Sequence, residues 1–217
     1  ITLTRGAASP LYGPNALAGV INVVTYQGAA EPRLVGEVRL AEQDTALAHL
    51  ASAGATGTLS WYVGAGLESS DGWQLSEDFQ AEPFEDGGRR VNSDFERASL
   101  LARVGWHPDP DRSLYASLRW VDTEKGIPFH TREPAGFVRF SRFPVWEQAT
   151  LALGYEQRLA GGGELRGQLF AHDFDNTLNV YGDPELESLR LESTFSDRVA
   201  GGYVIGERPL GEGHLLG

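Results

Sequence analysis

Apolar and polar residues alternate with a period of two along most of this sequence after about residue 34. This period is typical of β-strands whose two faces meet different surroundings. In residues 58–68, one face carries Leu59, Trp61, Val63, Ala65 and Leu67. The alternation recurs at 98–107, 113–123, 150–157 and 165–173, and more weakly at 34–41, 45–55 and 199–207. Runs of about ten residues exceed the usual strand of a soluble sheet. The pattern therefore predicts an all-β chain of long strands.

The connections between the predicted strands are short and long in turn. Turn-like segments rich in Gly, Pro and Asp lie at residues 54–57, 108–111, 160–164 and 210–213. Longer polar segments lie between them, at residues 71–93, 126–141 and 182–187. Tight turns at one end and long loops at the other are typical of a transmembrane antiparallel β-barrel of the outer-membrane type.

Charged and aromatic residues fit the same architecture. Four arginines fall in mid-strand on the polar faces, where a polar lumen would tolerate them: Arg39, Arg103, Arg119 and Arg166. Seven large aromatic residues fall mostly near predicted strand ends, where an interfacial girdle would place them: Trp61, Trp73, Trp106, Trp120, Trp146, Tyr155 and Tyr203. A soluble β-sandwich also alternates, with its apolar face turned inward, and remains an alternative to the barrel.

Composition excludes several classes of protein. The chain has 30 acidic against 18 basic residues, giving a net charge of −12, which argues against nucleic-acid binding. It has no cysteine, so disulfides, cysteine-ligated zinc and thiol catalysis are excluded. Residues 6–30 carry no charge, but their prolines and glycines would break a helix, so no transmembrane helix is predicted. The residues at the two ends lead us to expect an internal fragment of a longer protein.

The first thirty residues differ from the rest and contain a dense motif. Their local pattern predicts a short strand, a glycine turn, a helical turn at residues 15–18 and a second apolar strand. The segment is similar to R-G-P-x-S-x-L-Y-G-x-x-A-x-x-G-V-I-N-x-x-T, a pattern at the end of the plug domain of TonB-dependent outer-membrane receptors. Twelve positions match in register: Arg5, Gly6, Ser9, Leu11, Tyr12, Gly13, Ala16, Gly19, Val20, Ile21, Asn22 and Thr25. Ala7 departs from the family's usual proline.

The resemblance implies a fold, a function and partners. Residues 1–30 would be the C-terminal end of a plug domain, in which the motif is structural, and residues 31–217 the first eight or nine strands of a larger barrel. Such receptors take up a scarce, bulky nutrient, such as a ferric siderophore or cobalamin, using energy from the TonB complex. The expected partners are that complex, outer-membrane lipid and the small-molecule ligand. The TonB box would precede residue 1. No enzymatic activity and no cofactor are expected.

The loop at residues 126–141 contains the candidate ligand contacts: His130, Arg132, Arg139 and Arg142. Its cations stand among aromatic residues, namely Phe129, Phe137, Phe140, Phe143 and Trp146. Cationic and aromatic groups together suit an anionic aromatic ligand such as a catecholate siderophore. The alternative is that these aromatic residues pack at the membrane rim, and it is the simpler interpretation.

Other polar residues carry weaker predictions. The loop at residues 71–93 is rich in Asp and Glu, which suits calcium, but a solvated charged loop is the simpler interpretation. His172 is predicted to face the lumen and to be a solvated polar residue rather than a catalytic one. None of the five histidines pairs with another at metal-ligand spacing, so no metal site is predicted. Two rival functions remain open: a small eight-stranded outer-membrane barrel (adhesin or rim hydrolase), and a soluble β-rich binding module.

Overall fold

The described part of the chain consists of strands, turns and loops. The computed structural model describes residues 2–5, 19–22, 31–131, 136–210 and 213–216. Its strands are β1 (Thr2–Arg5), β2 (Gly19–Asn22), β3 (Arg33–Ala41), β4 (Thr45–Thr56), β5 (Leu59–Ser70), β6 (Phe95–Asp109), β7 (Arg112–Ile127), β8 (Phe140–Leu159), β9 (Gly163–Tyr181), β10 (Leu189–Leu210) and β11 (Gly213–Leu216). None of the described residues belongs to a helix with the length and hydropathy needed to cross a bilayer.

These strands form two sheets. β1 and β2 pair with each other antiparallel, as a separate two-stranded sheet. β3 to β11 form a nine-stranded antiparallel sheet in which every strand pairs with its neighbours in sequence. The nine strands agree with the predicted eight or nine. Within the described residues this sheet is open, with β3 at one edge and β11 at the other. The predicted helical turn at residues 15–18 lies outside the described residues.

One face of the large sheet is a continuous apolar surface, here called the apolar band. Val63, Ala102, Leu118, Leu151 and Ala171 are successive cross-strand neighbours on β5 to β9, and the rows beside them are equally apolar. Its large side chains are exposed: Leu67 and Leu169, for example, are each 64% exposed. Among the described residues, the buried apolar side chains are only Ala53, Phe129, Phe140 and Ala152. A soluble sandwich buries its apolar face, so this distribution contradicts that alternative.

Charged residues lie at the edge of the apolar band that is nearest the long loops. Asp122, Glu147 and Asp175 lie opposite one another on β7, β8 and β9. In the adjacent row of the same face, further from the long loops, Arg198 forms an ion pair with Asp173 at 3.1 Å. The Trp120 indole N–H in that row donates a hydrogen bond to Glu147 at 2.8 Å. Because β8, β9 and β10 have 20, 19 and 22 residues, they extend well past the roughly 9–11 residues that cross a membrane.

The aromatic residues divide between the two faces, so the predicted girdle is only partly correct. Trp61, Trp106 and Tyr155 lie on the apolar face toward the short turns, and Trp120 lies on it toward the loops. Trp146 and Tyr203 instead lie on the polar face, because their partners on β9, Asn176 and Gln168, have the opposite parity to the apolar-band residues of that strand. Trp73 lies in the loop after β5.

The opposite, polar face carries the arginines that the sequence placed there. Arg39, Arg103, Arg119 and Arg166 all share it, as the cross-strand register requires. Between them the face has glycines beside large rings. The Tyr115 ring covers Gly154 on the neighbouring strand, and the Arg103 guanidinium stacks on that ring with Cζ 3.7 Å from its centroid.

A Gly154→Val substitution tests this packing. A Cβ at position 154 would overlap the Cε1 and Cζ atoms of Tyr115, so the ring and the stacked Arg103 must move. We expect a loss of about 1–3 kcal/mol in the free energy of unfolding, measured by guanidinium titration in lipid vesicles with tryptophan fluorescence. The matched control is Gly206→Val on β10, where a Cβ meets no heavy atom within 4 Å. Equal losses in both variants would contradict the packing argument.

Candidate ligand-binding surface

Four aromatic side chains form a contiguous row on the polar face near the long loops, here called the aromatic row. It consists of Phe143 and Trp146 on β8, Phe174 on β9 and Phe195 on β10. Successive ring centroids are 4.8, 5.3 and 6.0 Å apart, with edge or tilted geometry. Phe195 is 53% exposed. Such a row presents a continuous apolar surface, with its rings tilted against one another, to anything that enters from the loop side.

Cations lie at one end of the aromatic row. Lys125 of β7 places its ammonium 4.0 Å from the Trp146 centroid and 5.4 Å from that of Phe143. On β6, the Arg97 guanidinium lies 5.6 Å from the Phe95 ring and binds Glu68 at 3.2 Å. The combination of half-buried rings with adjacent cations is suited to an anionic or partly aromatic ligand.

Above the row, the two longest loops share a small core. Phe84 comes from the loop after β5, Phe129 from the loop after β7, and Phe140 from the start of β8. Their centroids are 5.2–6.5 Å apart, in edge-to-face geometry. Phe129 and Phe140 are each 5% exposed. These two residues were candidates for the membrane rim, but they pack under the loops instead. Phe137 from the same candidate set is 71% exposed.

A buried ion pair stands beside this loop core. Arg90 donates to the Glu85 carboxylate and to the Phe129 carbonyl oxygen, and its guanidinium lies 4.8 Å from the Phe129 ring centroid. Glu85 is 1% exposed and Arg90 8% exposed. The interpretation of this segment as a solvated charged loop is therefore wrong for these two residues. A carboxylate excluded from water needs a cation at hydrogen-bonding distance, and Arg90 supplies it.

Further hydrogen bonds fix the first loop, residues 71–94, to the sheet. The Asn92 side-chain amide donates to the carbonyl oxygens of Ile127 at 2.9 Å and Ser141 at 2.6 Å. Arg142 of β8 binds Asp94 at 2.6 Å and Glu124 at 3.0 Å. Hydrogen bonding to Asp94 raises the pKa of the Arg142 guanidinium above its ordinary value, against the opposing effect of partial burial, and Glu124 raises it further. These contacts therefore hold the loop at residues 71–94 against the large sheet.

The predicted ligand contacts have different surroundings. His130 and Arg139 are exposed in the loop between β7 and β8, and Arg132 lies outside the described residues. Arg142 forms ion pairs with Asp94 and Glu124. Of the plug motif, Arg5 lies in β1, and Gly19, Val20, Ile21 and Asn22 form β2. Gly6, Ser9, Leu11, Tyr12, Gly13, Ala16 and Thr25 lie outside the described residues.

The remaining candidate catalytic and metal-binding residues have partners close to them in the sheet or the loop. His172 Nδ1 lies 2.8 Å from the Thr150 hydroxyl, on the polar face as predicted. Its sequence neighbour Asp173 lies on the opposite face with Arg198. In the acidic loop, Asp71 binds Arg89 at 2.7 Å. The described ranges contain no group of three or more His, Asp or Glu side chains arranged to hold a metal ion.

Sequence reasoning did not find the aromatic row. Its members come from three strands, and only the register of β8, β9 and β10 brings them together. The parity of Trp146 and Phe174 carried a signal, because each departs from the apolar parity of its own strand, whereas Phe195 shares the parity of Val199 and Ile205 on β10. Phe143 joins the row through a register shift between Arg142 and Val145, which the alternation does not reveal.

The fold and the exposed apolar band define the class of this chain: it has the all-β fold of part of a transmembrane antiparallel β-barrel of the outer-membrane type. Over 99% of its length it is similar in fold to the solved structure of the copper transporter OprC, with a TM-score of 0.72 and 15% sequence identity. The chain spans about a third of that protein's length, at 31%. No protein-family model and no curated protein matches the sequence.

Proposed function

We propose that this chain is part of a TonB-dependent receptor of the Gram-negative outer membrane, which takes up a scarce and bulky nutrient. The observation that carries the proposal is the exposed apolar band opposite a polar, arginine-bearing face. In a barrel, lipid covers the first surface and an aqueous lumen meets the second. The resemblance of residues 5–25 to a plug end supports TonB dependence, with residues 1–30 as the end of the plug and residues 31–217 as part of the barrel.

The ligand would meet the aromatic row and the loops above it. Lys125 and the rings of Phe143 and Trp146 offer cationic and apolar contacts on the polar face. His130 and Arg139, exposed in the loop after β7, extend this surface, and Arg132 and Arg142 remain proposed ligand contacts. The candidate ligands are a ferric siderophore, cobalamin and, from the name of the fold neighbour, copper.

The rival small barrel has less support. Eight strands closed on themselves would leave no sheet edge. The described sheet instead has nine strands with two edges. A wall of this kind fits a larger cylinder with a plugged lumen, such as a 22-stranded transporter.

Energy-dependent uptake by the full-length protein tests the proposal. Cells that express it are given radiolabelled ferric catecholate siderophore, labelled cobalamin or a copper(II) salt, with and without a protonophore. We expect one of these probes to bind in both conditions but to accumulate only when the proton gradient is intact, because TonB transmits that gradient. Accumulation that persists after the gradient has collapsed would contradict TonB dependence.

Two variants locate the ligand surface in the same experiment. Trp146→Ala removes the central ring of the aromatic row and should weaken binding of the accumulated probe by about tenfold, the value of one or two aromatic contacts. Trp120→Ala removes an indole from the opposite face and should leave probe affinity unchanged. Equal losses in both variants would place the ligand elsewhere.

A further inference from the structure

One carboxylate beside the aromatic row has no partner among the described side chains. Asp197 of β10 lies directly opposite Phe174 in the register of β9 and β10. Phe195, two residues earlier on the same strand, lies on the same face. Asp197 is exposed, and no hydrogen bond or ion pair joins it to another described side chain. The aromatic row therefore has a free negative charge at its β10 end.

Neighbouring cations are directed away from Asp197. Arg198 follows it in the chain but lies on the apolar face, where it binds Asp173 at 3.1 Å. Lys125 lies on β7, three strands away from β10, and its ammonium contacts the Trp146 ring at 4.0 Å. Three strand spacings amount to about 14 Å. Neither cation therefore neutralises the Asp197 carboxylate.

Rings and a carboxylate on one face are suited to a cationic group. The Phe174 and Phe195 rings have centroids 6.0 Å apart and are tilted by 55° to each other. Aromatic faces attract ammonium and guanidinium groups through the ring quadrupole. Side chains directly opposite each other on paired strands have Cβ atoms about 5 Å apart, so Asp197 and the Phe174 ring are close enough to contact one cation. The rings alone would accept any apolar group, and the carboxylate adds a selection for positive charge.

We propose that Asp197, Phe174 and Phe195 bind a substituted ammonium or guanidinium group of the ligand, at the β10 end of the aromatic row. Lys125 at the β7 end attracts an anionic group. The two ends together select a ligand that carries both charges on an apolar or aromatic body. This inference rests on the proposed function, because it describes one end of the same ligand surface. It adds the charge that the ligand must carry at that end.

The test is a titration of the purified full-length protein with choline, followed by saturation-transfer NMR of the choline methyl protons. Dimethylbutanol, in which carbon replaces the choline nitrogen, has the same shape without the charge, and empty detergent micelles give the blank. We expect saturable choline binding about tenfold tighter than that of dimethylbutanol, because the rings and the carboxylate both favour the cation. The full-length protein is used because β11 flanks β10 only at residues 207–210, away from Asp197.

Two variants locate the bound cation. Asp197→Asn keeps the shape of the side chain and should weaken choline binding by about fivefold, while dimethylbutanol binding stays unchanged. Phe195→Leu removes one ring and should weaken choline binding by about two- to fivefold. The matched control is Asp175→Asn on β9, which removes the same charge from the apolar face, opposite Ser196. Its choline affinity should stay within about twofold of the wild type.

These outcomes are distinct from those of the uptake experiment, because choline binding needs neither TonB nor a proton gradient. A preference for choline that Asp197→Asn loses and Asp175→Asn keeps supports the site. The proposal is overturned if choline binds no better than dimethylbutanol, or if the two Asp variants weaken choline binding equally. If uptake proves independent of the gradient while choline binding follows the expected pattern, the proposed transport is wrong and the cation site stands.

Discussion

An Arg90→Met variant is expected to open the loop at residues 71–94 while the strands below it stay paired. The substitution leaves the Glu85 carboxylate, 1% exposed, without its cation. Removing one partner of a buried ion pair costs about 3–5 kcal/mol. The Phe129 carbonyl loses its donor as well. The expected result is hydrogen exchange at least about a hundredfold faster at the loop amides, because each 1.4 kcal/mol is a factor of ten.

Three backbone amides report on this opening. In the folded loop, Leu75 donates to Gly88, Glu85 to Glu82, and Arg90 to Trp73. Mass spectrometry of exchanged peptides that contain these residues measures the effect. Strand β9, which pairs along its whole length with β8 and β10, provides the internal reference and should exchange as in the wild type.

Arg89→Met is the matched control. Arg89 is the neighbouring residue and also forms an ion pair, with Asp71 at 2.7 Å, but its side chain is 43% exposed. Exposed pairs contribute about 0–1 kcal/mol, so exchange should rise by a few fold at most. A Glu85→Leu/Arg90→Met double variant removes both buried charges and should recover much of the loss. If the Arg89 and Arg90 variants exchange alike, the buried pair does not hold the loop.

The second large effect is expected on the apolar face. Leu169 of β9 is 64% exposed within the apolar band, where the proposed barrel meets lipid. Arginine near the bilayer midplane costs about 2–4 kcal/mol, so Leu169→Arg should lower the free energy of unfolding by about that amount in phospholipid vesicles.

The adjacent residue supplies the control. Gln168 precedes Leu169 on the same strand but faces the polar side, where it accepts a hydrogen bond from the Tyr203 hydroxyl at 2.8 Å. Gln168→Arg should cost no more than that bond, about 0.5–1.5 kcal/mol. If the two variants lose equal stability, or if Leu169→Arg is the milder one, the apolar face does not meet lipid and the barrel orientation is wrong.

The strands were predictable to different extents. The alternation located the centre of each strand from β3 to β10, but it underestimated β8, β9 and β10. The alternation covers residues 150–157, whereas β8 spans Phe140–Leu159. The extra residues lie beyond the apolar band, where polar and apolar residues occur on both faces and the period of two carries no contrast. Backbone pairing extends the strands there without a hydrophobic pattern.

The candidate surface was less predictable than the strands. The sequence shows cations and aromatic residues in the second long loop, but it does not show which of them contact one another. Phe129 and Phe140 pack with Phe84, which is 45 residues or more away from them in sequence. Arg142 binds Asp94, 48 residues away. Contacts of this range depend on which strands are neighbours and in which register, and composition does not contain that information.

The sequence by itself determined the class of fold, because alternation over long strands specifies two unlike faces whatever their partners. It also determined which arginines share the polar face, since parity alone decides that. Only the tertiary structure decided which charged side chains are buried in ion pairs and which have no carboxylate partner among the described residues. Glu85 and Arg90 look like ordinary loop residues in the sequence, yet their burial follows from two loops closing over three aromatic rings. Arg103 and Arg119 resemble the other arginines, but the cross-strand register leaves them without a carboxylate among the described side chains. Burial and pairing energies depend on distances of a few ångströms, and those distances are fixed only when the strands have paired.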